Sequence, residues 1–212
     1  STSAIISAAP SPIAFHAIGD GAAEMMADVL EAHPLAADAK LPDRFIHAQI
    51  VQPATVERMK RMNLAVDLQP RFVPSDFPWV MDRVGPERTS YLYAWKKWLQ
   101  TGLPCSGGSD APIEPLNPFL GIHAAVTRRK PDERHEGYLP EEKLSISQSI
   151  GLFTHGSAAA AGESDRRGSI GIGKHADFTV VDRPIHDGMD PDELLHAKAL
   201  MTVVNGIVAY QA

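Results

Sequence analysis

Short apolar runs alternate with stripes of helical period along most of the chain, the pattern of βα units laid onto a parallel sheet. Four such units can be read. A first strand over Pro12 to Ile18 precedes a helix from Gly21 to His33, with Ala22, Met25, Met26, Val29 and Leu30 as its apolar face. A second strand, Arg44 to Val51, leads to Pro53 at a helix's first turn and to a stripe of Val56, Met59 and Met62. The third strand, Leu64 to Gln69, opens a long aromatic stretch, Phe72 to Tyr93, of the kind that covers a site. A helix ending near Thr101-Gly102 then returns the chain to a fourth strand, Leu103 to Gly107, followed by Gly108-Ser109-Asp110-Ala111-Pro112.

Beyond these units the pattern predicts a helix at Leu116 to Thr127, a polar loop at Arg128 to Glu142, and a small-residue helix from Ile146 to Ala161. Glycine, serine and charge replace the helical period at Gly162 to Gly173, which marks a domain boundary. Downstream, Phe178 to Val181 and Thr202 to Tyr210 read as strands, with Asn205-Gly206 suited to a type I′ turn. The expected domains are therefore residues 12–165 and 166–212, preceded at 1–11 by an unstructured leader or expression remnant.

Composition narrows the function classes. A chain of 212 residues, 44% hydrophobic, can bury a sizeable core and reads as soluble. With 20 basic against 26 acidic residues, a net charge of −6 and no Lys/Arg run beyond pairs, a nucleic-acid partner is disfavoured. No apolar run reaches the ~18 residues that would span a bilayer. The single cysteine, Cys105, excludes an intrachain disulfide and fits a reducing, cytoplasmic setting.

Three polar clusters fall on or after strands: His16 to Asp20, His47 to Gln49, and Gly107 to Asp110. The C-terminal ends of neighbouring parallel strands converge, so such residues can meet in space. Imidazole and carboxylate suit zinc and similar divalent ions, which lower the pKa of water. Taken singly, each has an ordinary explanation: a lone strand-end histidine is usually a hydrogen-bonded core or surface residue, Asp110 can cap the following segment, and Asp20 reads as the N-cap of the first helix. Two histidines and a later aspartate in series make the shared site the sharper reading.

From residue 12 onward the chain resembles the metal-dependent amidohydrolases, and within them the N-substituted formamide deformylases and D-aminoacylase-like enzymes. The resemblance rests on His16-Ala17-Ile18-Gly19-Asp20, His47-Ala48-Gln49 and Gly108-Ser109-Asp110-Ala111-Pro112, in that order. It is supported by Gly168 to Phe178, which resembles the turn and strand leading into such enzymes' small β-sandwich, and by Val203 to Val208, which resembles its last hairpin. It implies an α/β chain forming the C-terminal half of a TIM-like (β/α)8 barrel, followed by part of a small β-sandwich. It further implies that His16 and His47 bind one ion of a mono- or binuclear divalent metal centre, zinc being the expected ion. Asp110 would be metal-linked and act as general base in hydrolysing a non-peptide C–N bond, amide or formamide-like, of a small molecule. Gln49, Ser109 and the aromatic loop at Phe72 to Trp79 would lie around the site.

Two departures stand out. The family places a glutamate before the second histidine, where this chain has Ile46, so a hydrogen bond supporting that histidine is absent or replaced. The family's His-x-His strand and bridging lysine are also missing. Four units cannot close an eight-stranded barrel, and the expectation is a truncated chain, inactive alone, whose partner is the N-terminal half. The alternative is a noncatalytic half-barrel module that forms a homodimer or complements a separate half.

Other signals are set aside. Gly168 to Lys174 matches the start of a phosphate loop, but His175 replaces the Ser/Thr and a strand follows instead of a helix. Cys105, in a buried-looking strand without a basic neighbour, reads as packing. His33, His123, His135, His155, His175, His186 and His196 lack paired spacing and read as surface or capping residues. Trp79, Trp95 and Trp98 read as core or cover.

Overall fold

The computed structural model describes residues 12–212, so the leader expected over residues 1–11 lies outside the described residues. Strands β1 (Ala14–Ala17), β2 (Asp43–His47), β3 (Leu64–Leu68) and β4 (Cys105–Gly107) form a parallel four-stranded sheet in chain order. The alternation of apolar runs and stripes thus gives an α/β architecture, as expected. Each strand is shorter than its apolar run. β2 stops at His47 because His47 and Ala48 adopt left-handed backbone, φ 82° and 49°, which ends the pleat four residues before the apolar residues do.

Helix α1 (Asp20–Ala32) packs on the sheet through Ala23, Met26, Ala27 and Leu30. This face is rotated from the expected one: Met25 is 69% exposed. The alanines at 23 and 27 let the helix approach closely, and the larger Met25 and Val29 misled the reading of its stripe. Asp20 is the first helical residue, not the cap. Gly19 occupies the cap position, and the Asp20 carboxylate accepts from Gly21 N and Gln52 Nε2.

Helix α2 (Pro53–Met59) begins on its proline, with Val56 and Met59 fully buried. The aromatic stretch after β3 is not one loop. It folds into α3 (Phe72–Asp76), α4 (Trp79–Val84) and a 3-10 turn at Pro86–Arg88 before α5 (Trp95–Gln100). Trp98 is entirely buried, set edge-on to Phe45 at 6.0 Å, and donates from Nε1 to Ala48 O. Trp79, by contrast, is 52% exposed on α4.

After β4, Asn117 caps α6 (Pro118–Thr127) by accepting from Phe119 N. The expected helix from Ile146 opens with a Ser145/Gln148 capping box as α7 (Ile146–Gly151), loosens into a π turn at Leu152–Gly156, and closes as α8 (Ser157–Ala160). Beyond it, β5 (Phe178–Val181), β6 (Ala199–Val204) and β7 (Ile207–Gln211) form an antiparallel sheet. Asn205 and Gly206 have φ 49° and 78°, the left-handed pair a type I′ turn demands. The lysine of the rejected phosphate loop, Lys174, donates to Ser164 O and Ser169 Oγ and so ties its own turn. No helix among the described residues is long and apolar enough to cross a membrane.

Candidate functional site

Strand register sets the ground plan. His16 on β1 pairs with Ile46, Ile46 with Asp67 on β3, and Asp67 with Ser106 on β4, so these four residues form one row across the sheet. By pleat alternation His47 should face away from that row. Its left-handed backbone breaks the alternation and brings its ring edge-on to His16, with centroids 4.4 Å apart. His47 is buried while His16 is exposed.

The surroundings of His47 fix its chemistry. Its Nδ1 lies 2.9 Å from Gln69 Oε1, and an amide oxygen can only accept, so Nδ1 carries the proton. That leaves the Nε2 lone pair free. Nε2 points at the Asp110 carboxylate, 4.0 Å away, and the ring stacks on Phe72 with centroids 5.6 Å apart. Burial holds the imidazole below its ordinary pKa, outweighing the Gln69 bond and the nearby Asp110 carboxylate.

Asp110 has φ 55°, the third non-glycine residue in left-handed backbone around the site, after His47 and Ala48. Such conformations cost about 1–3 kcal/mol each and persist where surroundings over-determine them. Two of the three expected site residues therefore sit on strained backbone. His47 is the joint between the other two: it meets His16 on one side and Asp110 on the other. Among the described residues, no three His, Cys, Asp or Glu side chains enclose a space for an ion. The donors still suit a divalent metal: a free imidazole nitrogen and a carboxylate 4.0 Å apart lie within two ordinary metal–ligand distances of about 2.0–2.2 Å.

Polar neighbours complete the region. Arg44 grips Asp67 with Nε and Nη2 at 2.8 and 2.6 Å, and Ser106 Oγ donates to the same carboxylate. Gln49, buried, donates to Asp76 Oδ2, to which Tyr93 OH also donates. Burial raises the Asp76 pKa against both bonds. Arg71 Nε donates to Glu114 Oε2 at 2.6 Å. Sequence reasoning missed Gln69, Asp67, Asp76, Arg71 and Glu114. Only Gln69 carried a local signal, as a polar residue directly after an apolar strand that pairs with that of His47. It supplies the histidine support that Ile46 cannot. His123, expected at the surface, is instead 1% exposed and bonded to Asp192 at 2.9 Å, because α6 packs against the 3-10 turn at Pro191–His196.

The profile described as the amidohydrolase family matches residues 6–210. The chain belongs to the amidohydrolase family. Among relatives of this amidohydrolase, the Bacillus subtilis (strain 168) protein that bears the name amidohydrolase YtcJ is 43% identical over 200 residues, covering 94% of this chain and 37% of the relative. The N-substituted formamide deformylase of Arthrobacter pascens is 27% identical over 207 residues, covering 94% and 36%. Among solved structures, an uncharacterized metal-dependent hydrolase from Pyrococcus furiosus superposes with a TM-score of 0.65 at 32% identity, covering 78% of this chain and 32% of that one. The resemblance drawn from the strand-end motifs holds, and the chain spans about a third of the length of the relatives it matches.

Proposed function

We propose that this amidohydrolase chain supplies part of a divalent metal centre and the general base for hydrolysing a non-peptide C–N bond, amide or formamide-like, in a small molecule. The observation that carries the reading is His47: buried, held at Nδ1 by Gln69, and offering Nε2 to the Asp110 carboxylate at 4.0 Å beside the His16 ring. His16 and His47 would hold the ion through ring nitrogens, with Asp110 adjoining it. When bound, a zinc-like ion supplies Lewis acidity toward a carbonyl and lowers the pKa of water. Asp110 takes a proton at its carboxylate and returns it to the leaving nitrogen. Burial keeps His47 neutral, and therefore ligating, at neutral pH.

The four parallel strands are proposed to be the C-terminal half of a TIM-like barrel, with residues 166–212 contributing strands to a small β-sandwich. On this reading the longer protein supplies the remaining ligands, and the isolated chain is inactive. The exposed Val204, Ile207, Val208 and Tyr210 of the antiparallel sheet offer apolar surface for that additional chain. The free Nε2 of buried His47, turned toward Asp110 beside the His16 ring, favours this over a noncatalytic module.

The test is made on the full-length protein. It is expected to hold stoichiometric divalent metal and to hydrolyse N-substituted formamides or other small amides. Asp110→Asn should lower kcat by about 10²–10⁴-fold, the usual contribution of a general base. Full-length protein free of metal, or an Asp110→Asn variant with undiminished turnover, overturns the reading.

A further inference from the structure

Asp110 opens an exposed turn that is closed locally by a bond from Ile113 N to Asp110 O at 2.9 Å. From Asp110 to Pro118 every residue is exposed except Glu114, which is 8% accessible. The turn is bracketed by two anchors: upstream, Gly108 N donates to Leu68 O at 2.9 Å, and downstream lies Glu114. A carboxylate is costly to bury and persists where it is paired. Both of its oxygens are taken, Oε2 by Arg71 Nε at 2.6 Å and Oε1 by the Ser75 hydroxyl.

Arg71 lies two residues after Gln69, which holds His47, and Pro70 between them fixes its own backbone φ. The segment Gln69-Pro70-Arg71 therefore reaches both halves of the His47–Asp110 pair, one through Gln69 and the other through Glu114. Neither bond of Glu114 serves the apolar core, and nothing in the sequence around residue 114 announces it.

We infer that Glu114 is a positioning residue that, through Arg71 and Ser75, fixes the Asp110 turn at its distance from His47. This rests on the proposed role of His47 and Asp110. It predicts that loss of the Glu114 charge releases the turn without touching substrate.

The experiment compares full-length wild type with Glu114→Gln, Glu114→Asp and Ser75→Ala. Zinc affinity is measured by chelator competition, kcat and KM are separated, and amide hydrogen exchange is followed across residues 108–113 in the metal-free protein. Glu114→Gln is expected to lower zinc affinity or kcat by about 10–100-fold, the usual effect of removing a residue that orients metal ligands, with KM little changed. Exchange over 108–113 should rise while α1 is unaffected, and Glu114→Asp should recover part of the loss. Ser75→Ala, at an exposed position, removes one of the two bonds and should give a smaller change of the same kind, which keeps the test decisive if Glu114→Gln does not fold. Wild-type exchange in Glu114→Gln overturns the inference whatever the activity. Wild-type affinity and kcat in that variant, where Asp110→Asn has lost them, overturn it while sparing the proposed function. A wild-type protein without metal or turnover instead removes the proposed function, and the exchange measurement still decides whether Glu114 holds the turn.

Discussion

At the residue scale, one side chain does more than its neighbours. His47 is the meeting point of His16, Gln69, Phe72 and Asp110, and its tautomer is dictated by an acceptor 22 positions away. Replacing Gln69 with leucine keeps the volume but removes the acceptor, so Nδ1 loses its partner and the ring is free to turn. Metal affinity of the full-length protein is expected to fall by about 10–100-fold, as measured by chelator competition. Gln69→Glu should retain most of it. Cys105 shows the opposite situation. It is buried on β4, its thiol is pushed up to about 12, chiefly by burial and secondarily by Asp67, and it should resist alkylation by iodoacetamide at pH 8 until the protein is unfolded. Rapid labelling of the native protein would contradict this. His16, His47 and Asp110 could be singled out in the sequence because each lies in or just after a strand within a recognisable motif. Arg71 and Glu114 could not, since they take their meaning from each other across 43 positions and no local pattern encodes such a pairing.

At the scale of elements, the four βα units were legible because short apolar runs alternate with stripes of period 3.6. Their ends were less so. β2 was read through to Val51 because apolar residues continue, while backbone sign, which decides where a strand stops, leaves no mark on histidine and alanine. The face of α1 was misread because a size-weighted stripe passes over the alanines that make closest approach. The break in the last helix also went unseen. Its π turn at Leu152–Gly156 lies against β4, and a Cβ built on Gly156 would stand 2.0 Å from Cys105 O. No rotamer relieves a clash with main chain, so Gly156→Ala must push α8 and β4 apart. A loss of ~3 kcal/mol or more in unfolding free energy is expected from denaturant midpoints. Gly171→Ala, whose added carbon would meet nothing closer than 3.9 Å, is the control and should change little. Because β4 leads directly into the Asp110 turn, Gly156→Ala should disturb the site as well.

For the whole molecule, the sequence yielded the parallel sheet and the final hairpin but not how the parts are joined. The joint is polar and buried: His123 on α6 bonds Asp192 at 2.9 Å, and Arg129 reaches the same carboxylate at 2.7 Å. Alongside lies a small apolar cluster of Ile122, Ile146 and Leu194. A histidine lacking paired ligand spacing gives no sign that it will be sealed between two elements. Its burial has a consequence for stability that can be signed. His123 and His47 are both held below the ordinary imidazole value of 6.5, in each case first by burial, which outweighs the Asp192 bond in one and the Gln69 bond in the other. A depressed folded-state pKa means that the unfolded chain binds protons which the native protein refuses. The associated stability is present above pH 6.5 and is lost as pH falls below it, at up to about 1.4 kcal/mol per pH unit for each histidine. Cys105 acts at the other end: its raised pKa withholds ionisation that the unfolded chain allows above the ordinary thiol value of 9.0, so stability declines again as pH rises from there toward 12. Denaturant midpoints should therefore be highest between about pH 6.5 and 9 and drop on both sides. His123→Gln retains a hydrogen-bonding side chain without a titrating ring and should reduce the slope of the acid limb between about pH 6.5 and 5.5, leaving the part due to His47, above the range where carboxylates take over. Cys105→Ala should flatten only the start of the alkaline limb, between about pH 9 and 10, above which Tyr93, also raised by burial, contributes in the same direction. A wild-type midpoint that does not fall between about pH 7.5 and 5.5 would mean that the two imidazoles are not held neutral by the fold.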